Sequence, residues 1–133
     1  CRDVLQELIG DGIDLLFCNR DEAMAFTSAN TIEDAADGIK RLSKGFAITD
    51  GASGALVFDG DDIFHSIGVE TLAVDTNGAG DMFAGAFLCA VVGGHGFYKA
   101  AELANYCAAQ VVKVFGPRLD ADQLINVKRE FGL

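Results

Sequence analysis

Residues 75–81 read Asp75-Thr76-Asn77-Gly78-Ala79-Gly80-Asp81 and stand between a β-like run and the apolar run of residues 82–92. That apolar run is too short to span a bilayer, and it predicts a helix over residues 79–92, ended by Gly93-Gly94. A strand that turns through two glycines straight into an apolar helix is a junction of a layered α/β domain. The glycines let backbone N–H groups crowd toward an anion where a side chain would block approach. The helix that follows points its positive end at the same spot. Asp81 falls in the first helical turn, where it reads either as a capping acid or as a general base facing a hydroxyl.

Charge sharpens this reading. The chain of 133 residues carries a formal net charge of −10, and no Lys or Arg occurs between Gly45 and Tyr98. A polyphosphate at the 78–81 turn must therefore be held by amides, a metal ion or basic residues brought from elsewhere. A P-loop needs Gly-x-x-x-x-Gly-Lys-Ser/Thr, and the sequence has no such string. The dinucleotide fingerprint fails as well, because the next glycine after Gly78 and Gly80 is Gly85, out of step with Gly-x-Gly-x-x-Gly. The acidic balance argues against non-specific binding to nucleic acid or to an anionic membrane.

The remaining pattern fills in one α/β unit with no repeat, low-complexity tract or linker. Val4, Leu5, Leu8 and Ile9 fit a short helix closed by Gly10 and Gly12. Residues 14–18 form an apolar run of strand length, residues 21–26 a short helix, and residues 31–44 a helix with a capped start at Thr31. Strands are predicted at residues 46–49, 55–58 and 63–66, the last two as a hairpin about residues 59–62. Helices over residues 98–114 and 120–130 follow, the first stopped by Gly116-Pro117. Strands alternating with helices predict a largely parallel sheet. Cys1, Cys18, Cys89 and Cys107 show no Cys-x-x-Cys spacing and read as buried free thiols in a reducing cytoplasm. His65 and His95 are isolated and have no metal-ligand partner at useful spacing.

Three segments together resemble the ribokinase-like (PfkB) family of carbohydrate and nucleoside kinases. Residues 75–81 match its Asp-Thr-x-Gly-Ala-Gly-Asp signature, Asn19-Arg20-Asp21-Glu22 its Asn-x-x-Glu motif, and Thr49-Asp50-Gly51-Ala52-Ser53-Gly54 its Thr-x-Gly-x-x-Gly turn. The resemblance implies a three-layer α/β/α ribokinase-like fold. It implies ATP and Mg²⁺ as donor and cofactor, and for some members a monovalent cation, with Asp75 and Asn77 in its loop. Gly78, Ala79 and Gly80, with the amide of Asp81, would form an anion hole, and Asp81 would take the proton of the acceptor hydroxyl. Glu22 and Asn19 would order Mg²⁺ and its waters. Thr49, Gly51 and Gly54 would border the ATP phosphates and ribose, and Asn105 the adenine.

Family members run to about twice this length, so the chain is expected to be the C-terminal, nucleotide-side portion. The N-terminal half of the same polypeptide would supply the acceptor contacts and a β-sheet lid through which members can form homodimers. The expected activity moves the γ-phosphoryl of Mg-ATP to a hydroxymethyl group. Asn77 is the adenosine-kinase-like spelling of the signature and favours a nucleoside acceptor. A sugar kinase such as a ribokinase or fructokinase is the alternative, as is a non-catalytic nucleotide-binding module of the same fold. The intact Asp81 and Glu22 favour catalysis.

Overall fold

The computed structural model describes residues 12–72, 74–113 and 119–131, which fall into two compact units. One comprises the chain up to Gly51 with Ala55–His65, the other Ala52–Gly54 with the chain from Ser66 onward. The sequence, having no linker, reads as one unit; the contacts group it into two. The helix predicted on residues 4–9, Cys1, and the stop at Gly116-Pro117 lie outside the described residues.

The first unit is built on β1 (Leu16–Asn19), α1 (Arg20–Thr27), α2 (Ile32–Ile39), β2 (Phe46–Thr49), β3 (Gly54–Phe58) and β4 (Ile63–Ile67), with Gly54 and the last two residues of β4 assigned to the second unit. The strands lie in the order β1-β2-β3-β4. β1 and β2 are parallel, with Leu16 opposite Phe46 and Asn19 opposite Thr49. β2 and β3 are antiparallel, with Phe46 opposite Phe58 and Thr49 opposite Ala55. The expectation of a largely parallel sheet is thereby corrected. Only Asp50 and the short 3₁₀ turn Gly51–Ser53 join β2 to β3, far too little chain for a parallel crossover.

Phe46, Ile48 and Phe58 form the core of this unit with Ala23 of α1 and Ala35, Ala36 and Ile39 of α2. The Phe46 and Phe58 rings meet at 5.5 Å between centroids and 36° between planes. Burial of each large apolar side chain contributes about 2 kcal/mol. Thr31 caps α2, its side chain accepting from the Asp34 amide at 3.1 Å. The helix ends at Ile39, short of the predicted residue 44. Residues 42–44 are recruited into a parallel bridge instead: Ile13 N donates to Leu42 O and Lys44 N to Ile13 O, both at 2.8 Å.

The second unit holds α3 (Ala79–Val92), α4 (Phe97–Val111) and α5 (Ala121–Phe131). α3 matches its predicted bounds. Phe83, Phe87 and Ala90 of α3 are buried, as are Ala100, Ala101, Leu103, Ala104 and Cys107 of α4. Small side chains let two such helices approach closely, and the Phe87 ring meets Phe97 edge-on at 5.1 Å. Cys89, expected to be buried, is exposed, because the outward side of α3 is apolar too and leaves Leu88 and Val92 in solvent. Among the described residues, no helix is long and apolar enough to cross a membrane.

Candidate active site

At the C-terminal edge of the two parallel strands, the backbone of Asn19 is extended (φ −90°, ψ 170°) and begins α1. Its side chain accepts from the Glu22 amide at 2.9 Å, and Glu22 Oε2 accepts from the Asn19 amide at 2.9 Å. This is a reciprocal capping box, in which each side chain satisfies a helix-end N–H of the other. Asn19 Oδ1 and Glu22 Oε2 are therefore engaged by backbone. Both residues are exposed, and Glu22 keeps a second carboxylate oxygen directed at neither amide. Thr49 lies opposite Asn19 in the parallel register, so the Asn-x-x-Glu motif and the start of the glycine turn share one sheet edge. Arg20 and Asp50 tie that edge together, with Nη1 3.4 Å from both carboxylate oxygens. A partly exposed pair of this kind contributes about 0–1 kcal/mol.

Just behind the motif, burial and then the Glu22 carboxylate push the Cys18 thiol up to about 12. None of the expected site residues lines the cavity of about 380 Å³ bounded by Gly12, Lys40, Arg41, Lys44, Phe58 and Gly60. Those segments precede β1 and β2 and follow β3, which places the cavity at the opposite sheet edge. Its cations follow the end of α2 and complement the negative end of that helix. We attach no catalysis to it.

In the second unit, Gly54 has φ +103°. A Cβ there would overlap the Ser66 carbonyl oxygen and the Gly68 nitrogen. This glycine is required by close approach of protein backbone. Asn105 is buried, and its Nδ2 donates to Ser66 Oγ at 2.9 Å and to the carbonyls of Ser66 and Ile67 at 3.2 Å. Gly54 and Asn105 thus meet the same short segment.

The 75–81 turn is fixed at its entrance, where Val74 N and Asp75 N donate to Val112 O at 2.6 and 3.2 Å. Asp75 Oδ1 accepts from Asn77 N at 3.0 Å. Gly78 then takes φ +78°, ψ 0° and starts α3 without a side-chain cap. Ala79 N donates to Thr76 O at 3.3 Å, so of the four expected anion-hole amides this one is already engaged. Among the described residues, the amides of Gly78, Gly80 and Asp81 have no backbone acceptor, as expected at a helix start. A Cβ on Gly80 would meet nothing within 4 Å among the described residues outside its own helix. The Asp81 carboxylate is exposed and makes no hydrogen bond among the described residues. No group of three or more His, Cys, Asp or Glu able to hold a metal ion occurs among those residues.

Sequence reasoning missed Arg20, Asp50, Ser66 and Gly68. Arg20 lies inside the Asn-x-x-Glu motif, and its partner Asp50 is 30 positions away, beyond any local signal. The capping box was legible as Asn followed three residues later by Glu. Ser66 and Gly68 carry no local signal, because their partners lie far away in sequence.

Residues 1–124 match the family model described as pfkB family carbohydrate kinase. A cytidine kinase from Thermococcus kodakarensis is 33% identical over 122 residues, covering 86% of this chain and 42% of the relative. The crystal structure of an adenosine kinase from Sinorhizobium meliloti superposes with a TM-score of 0.88 at 30% identity, covering 97% of this chain and 40% of that one. An Arabidopsis thaliana ribokinase complexed with ribose and ATP gives a TM-score of 0.78 at 27% identity, with coverages of 92% and 42%. The chain therefore spans about two-fifths of the length of these relatives.

Proposed function

The chain belongs to the pfkB family of carbohydrate kinases, and from that premise we propose that the protein carrying it moves the γ-phosphoryl group of Mg-ATP to a hydroxymethyl group of a nucleoside. The observation that carries this reading is the 75–81 turn, where three amides without a backbone acceptor among the described residues stand beside an exposed Asp81 carboxylate. The chain supplies the nucleotide side and the catalytic aspartate. Most acceptor contacts come from the remaining length that its relatives possess.

Asp81 takes the proton as the acceptor oxygen forms its bond to the γ-phosphorus. The bond from that phosphorus to the bridging oxygen breaks, and its electron pair leaves with ADP. The transition state of such a transfer is largely dissociative, so positioning and charge stabilisation dominate over deprotonation. The amides of Gly78, Gly80 and Asp81 face the equatorial oxygens, and one such donor contributes about 3–4 kcal/mol in comparable oxyanion sites. Thr49, Gly51 and Gly54 border the nucleotide phosphates.

Glu22 and Asn19 fit Mg²⁺ held through water. Their donors are oxygens, their capping box leaves one Glu22 oxygen for a hydrated ion, and a hard cation that retains its waters needs no cluster of acids. When bound, Mg²⁺ neutralises charge on the phosphate oxygens.

The nucleoside assignment rests on Asn77 and on the similarity to cytidine and adenosine kinases. A sugar acceptor is the second reading, favoured by the similarity to a ribokinase that binds ribose. The test is ADP release from Mg-ATP by the complete protein with adenosine, cytidine, inosine, ribose and fructose. Release stimulated by a nucleoside supports the first reading and by a pentose or hexose the second. Silence from a folded, ATP-binding protein rejects both.

A further inference from the structure

Two glycines face each other through bare backbone in the second unit. A Cβ on Gly68 would overlap the Ala52 carbonyl oxygen and lie 2.8 Å from the Gly54 nitrogen, while one on Gly54 would lie 2.8 Å from the Ile67 carbonyl carbon. Gly68 N donates to Ser53 O at 3.2 Å. Residues 66–68 are thus in contact with the end of the Thr-x-Gly-x-x-Gly turn. From the α4 side, the same segment is gripped by the Asn105 amide, which binds Ser66 twice and Ile67 once. Ser66 is 2% exposed and Asn105 7%, so these bonds are shielded from water and hold better than surface ones.

The connection that starts at Ser66 runs to the 75–81 turn, whose entrance is held by the Val112 carbonyl at the end of α4. Asn105 and Val112 are seven positions apart, about 10.5 Å along a helix. One rigid helix therefore fixes both ends of the connection between the donor-side turn and the anion turn.

We propose that Asn105 and Ser66 are positioning residues for ATP, bracing residues 66–68 so that the 52–54 turn holds a set distance from the Gly78–Asp81 amides. Asn105 acts through backbone from behind the turn. The inference rests on the ATP reading above and adds Ser66 and Gly68 to the residues that decide donor affinity.

The test uses the complete protein with Asn105→Asp, which puts an acceptor where three acceptors converge, and Ser66→Ala, which removes one hydroxyl. The Kd for ATP by calorimetry, the KM for ATP and for the acceptor, and kcat are measured with Tm. A lost buried hydrogen bond predicts that Ser66→Ala raises both Kd and KM for ATP about fivefold, and Asn105→Asp by more, with acceptor KM unchanged. A lower Tm with unchanged Kd and KM for ATP makes the brace purely structural and overturns the proposal. So does an equal rise in acceptor KM. If Asn105→Asp does not fold, Ser66→Ala decides alone. If the wild-type protein binds ATP but turns over no acceptor, the kinase reading fails while the Kd comparison still decides the brace. If it binds no ATP, both fail.

Discussion

The turns at residues 51–54 and 78–81 both depend on glycine, for opposite physical reasons. At Gly54 the space a side chain would occupy is filled by the protein's own backbone, at residues 66–68. At Gly80 it is open, with no atom of the described residues beyond its own helix within 4 Å. The first glycine is demanded by packing, and the second is under no such demand among the described residues. The same residue type in the same kind of motif thus answers to packing in one place and not in the other, and on the function proposed above the second leaves the amides open to a phosphate.

The sharpest attack on that contrast is at the open turn. Asp81→Asn should lower kcat by about 10²–10⁴ in the complete protein, as a lost general base does, while stability falls by no more than the about 0.3–1 kcal/mol of one acid at a helix start. Near-normal turnover would remove Asp81 from the chemistry. Gly80→Val should cost about 10² or more in turnover by blocking approach to the amides, at unchanged Tm. A parallel fall in Tm would mean that the turn is packed rather than open.

The braced turn should behave in reverse. Gly54→Ala combines a left-handed φ with backbone overlap, and it should destabilise by about 3 kcal/mol or more in a denaturant titration. A stable variant with poor ATP affinity would erase the distinction. The smallest effect belongs to Glu22→Ala, which loses half of a capping box, about 0.5–2 kcal/mol, and should raise the Mg²⁺ concentration needed for half-maximal rate. A destabilised variant with an unshifted Mg²⁺ titration would leave Glu22 a cap and nothing more.

Much of this was legible locally. The bounds of β2 and α3 follow from a short apolar run closed by Asp50-Gly51 and from a glycine-flanked apolar stretch. The cap at Thr31 follows from one hydroxyl before a periodic segment. What escaped depends on distance along the chain. The antiparallel β3 hinges on how tightly residues 50–53 can turn. α2 stops early because Ile13, far upstream, captures residues 42–44. The family resemblance places Asn105 beside the adenine, and nothing near it in sequence signals that its amide holds Ser66, 39 positions away. Arg20 and Asp50 are 30 positions apart, with nothing local to pair them.

Cys18 gives the Asn19–Glu22 motif a chemical clock. With its thiol pushed up to about 12 by burial and by the Glu22 carboxylate, Cys18 stays protonated at neutral pH, and the thiolate is the form that alkylates. Iodoacetamide should therefore pass over Cys18 while α1 stays docked on β1. Whatever loosens that helix start exposes a sulfur one residue from Asn19, and the rate of its labelling counts how often the capping box opens.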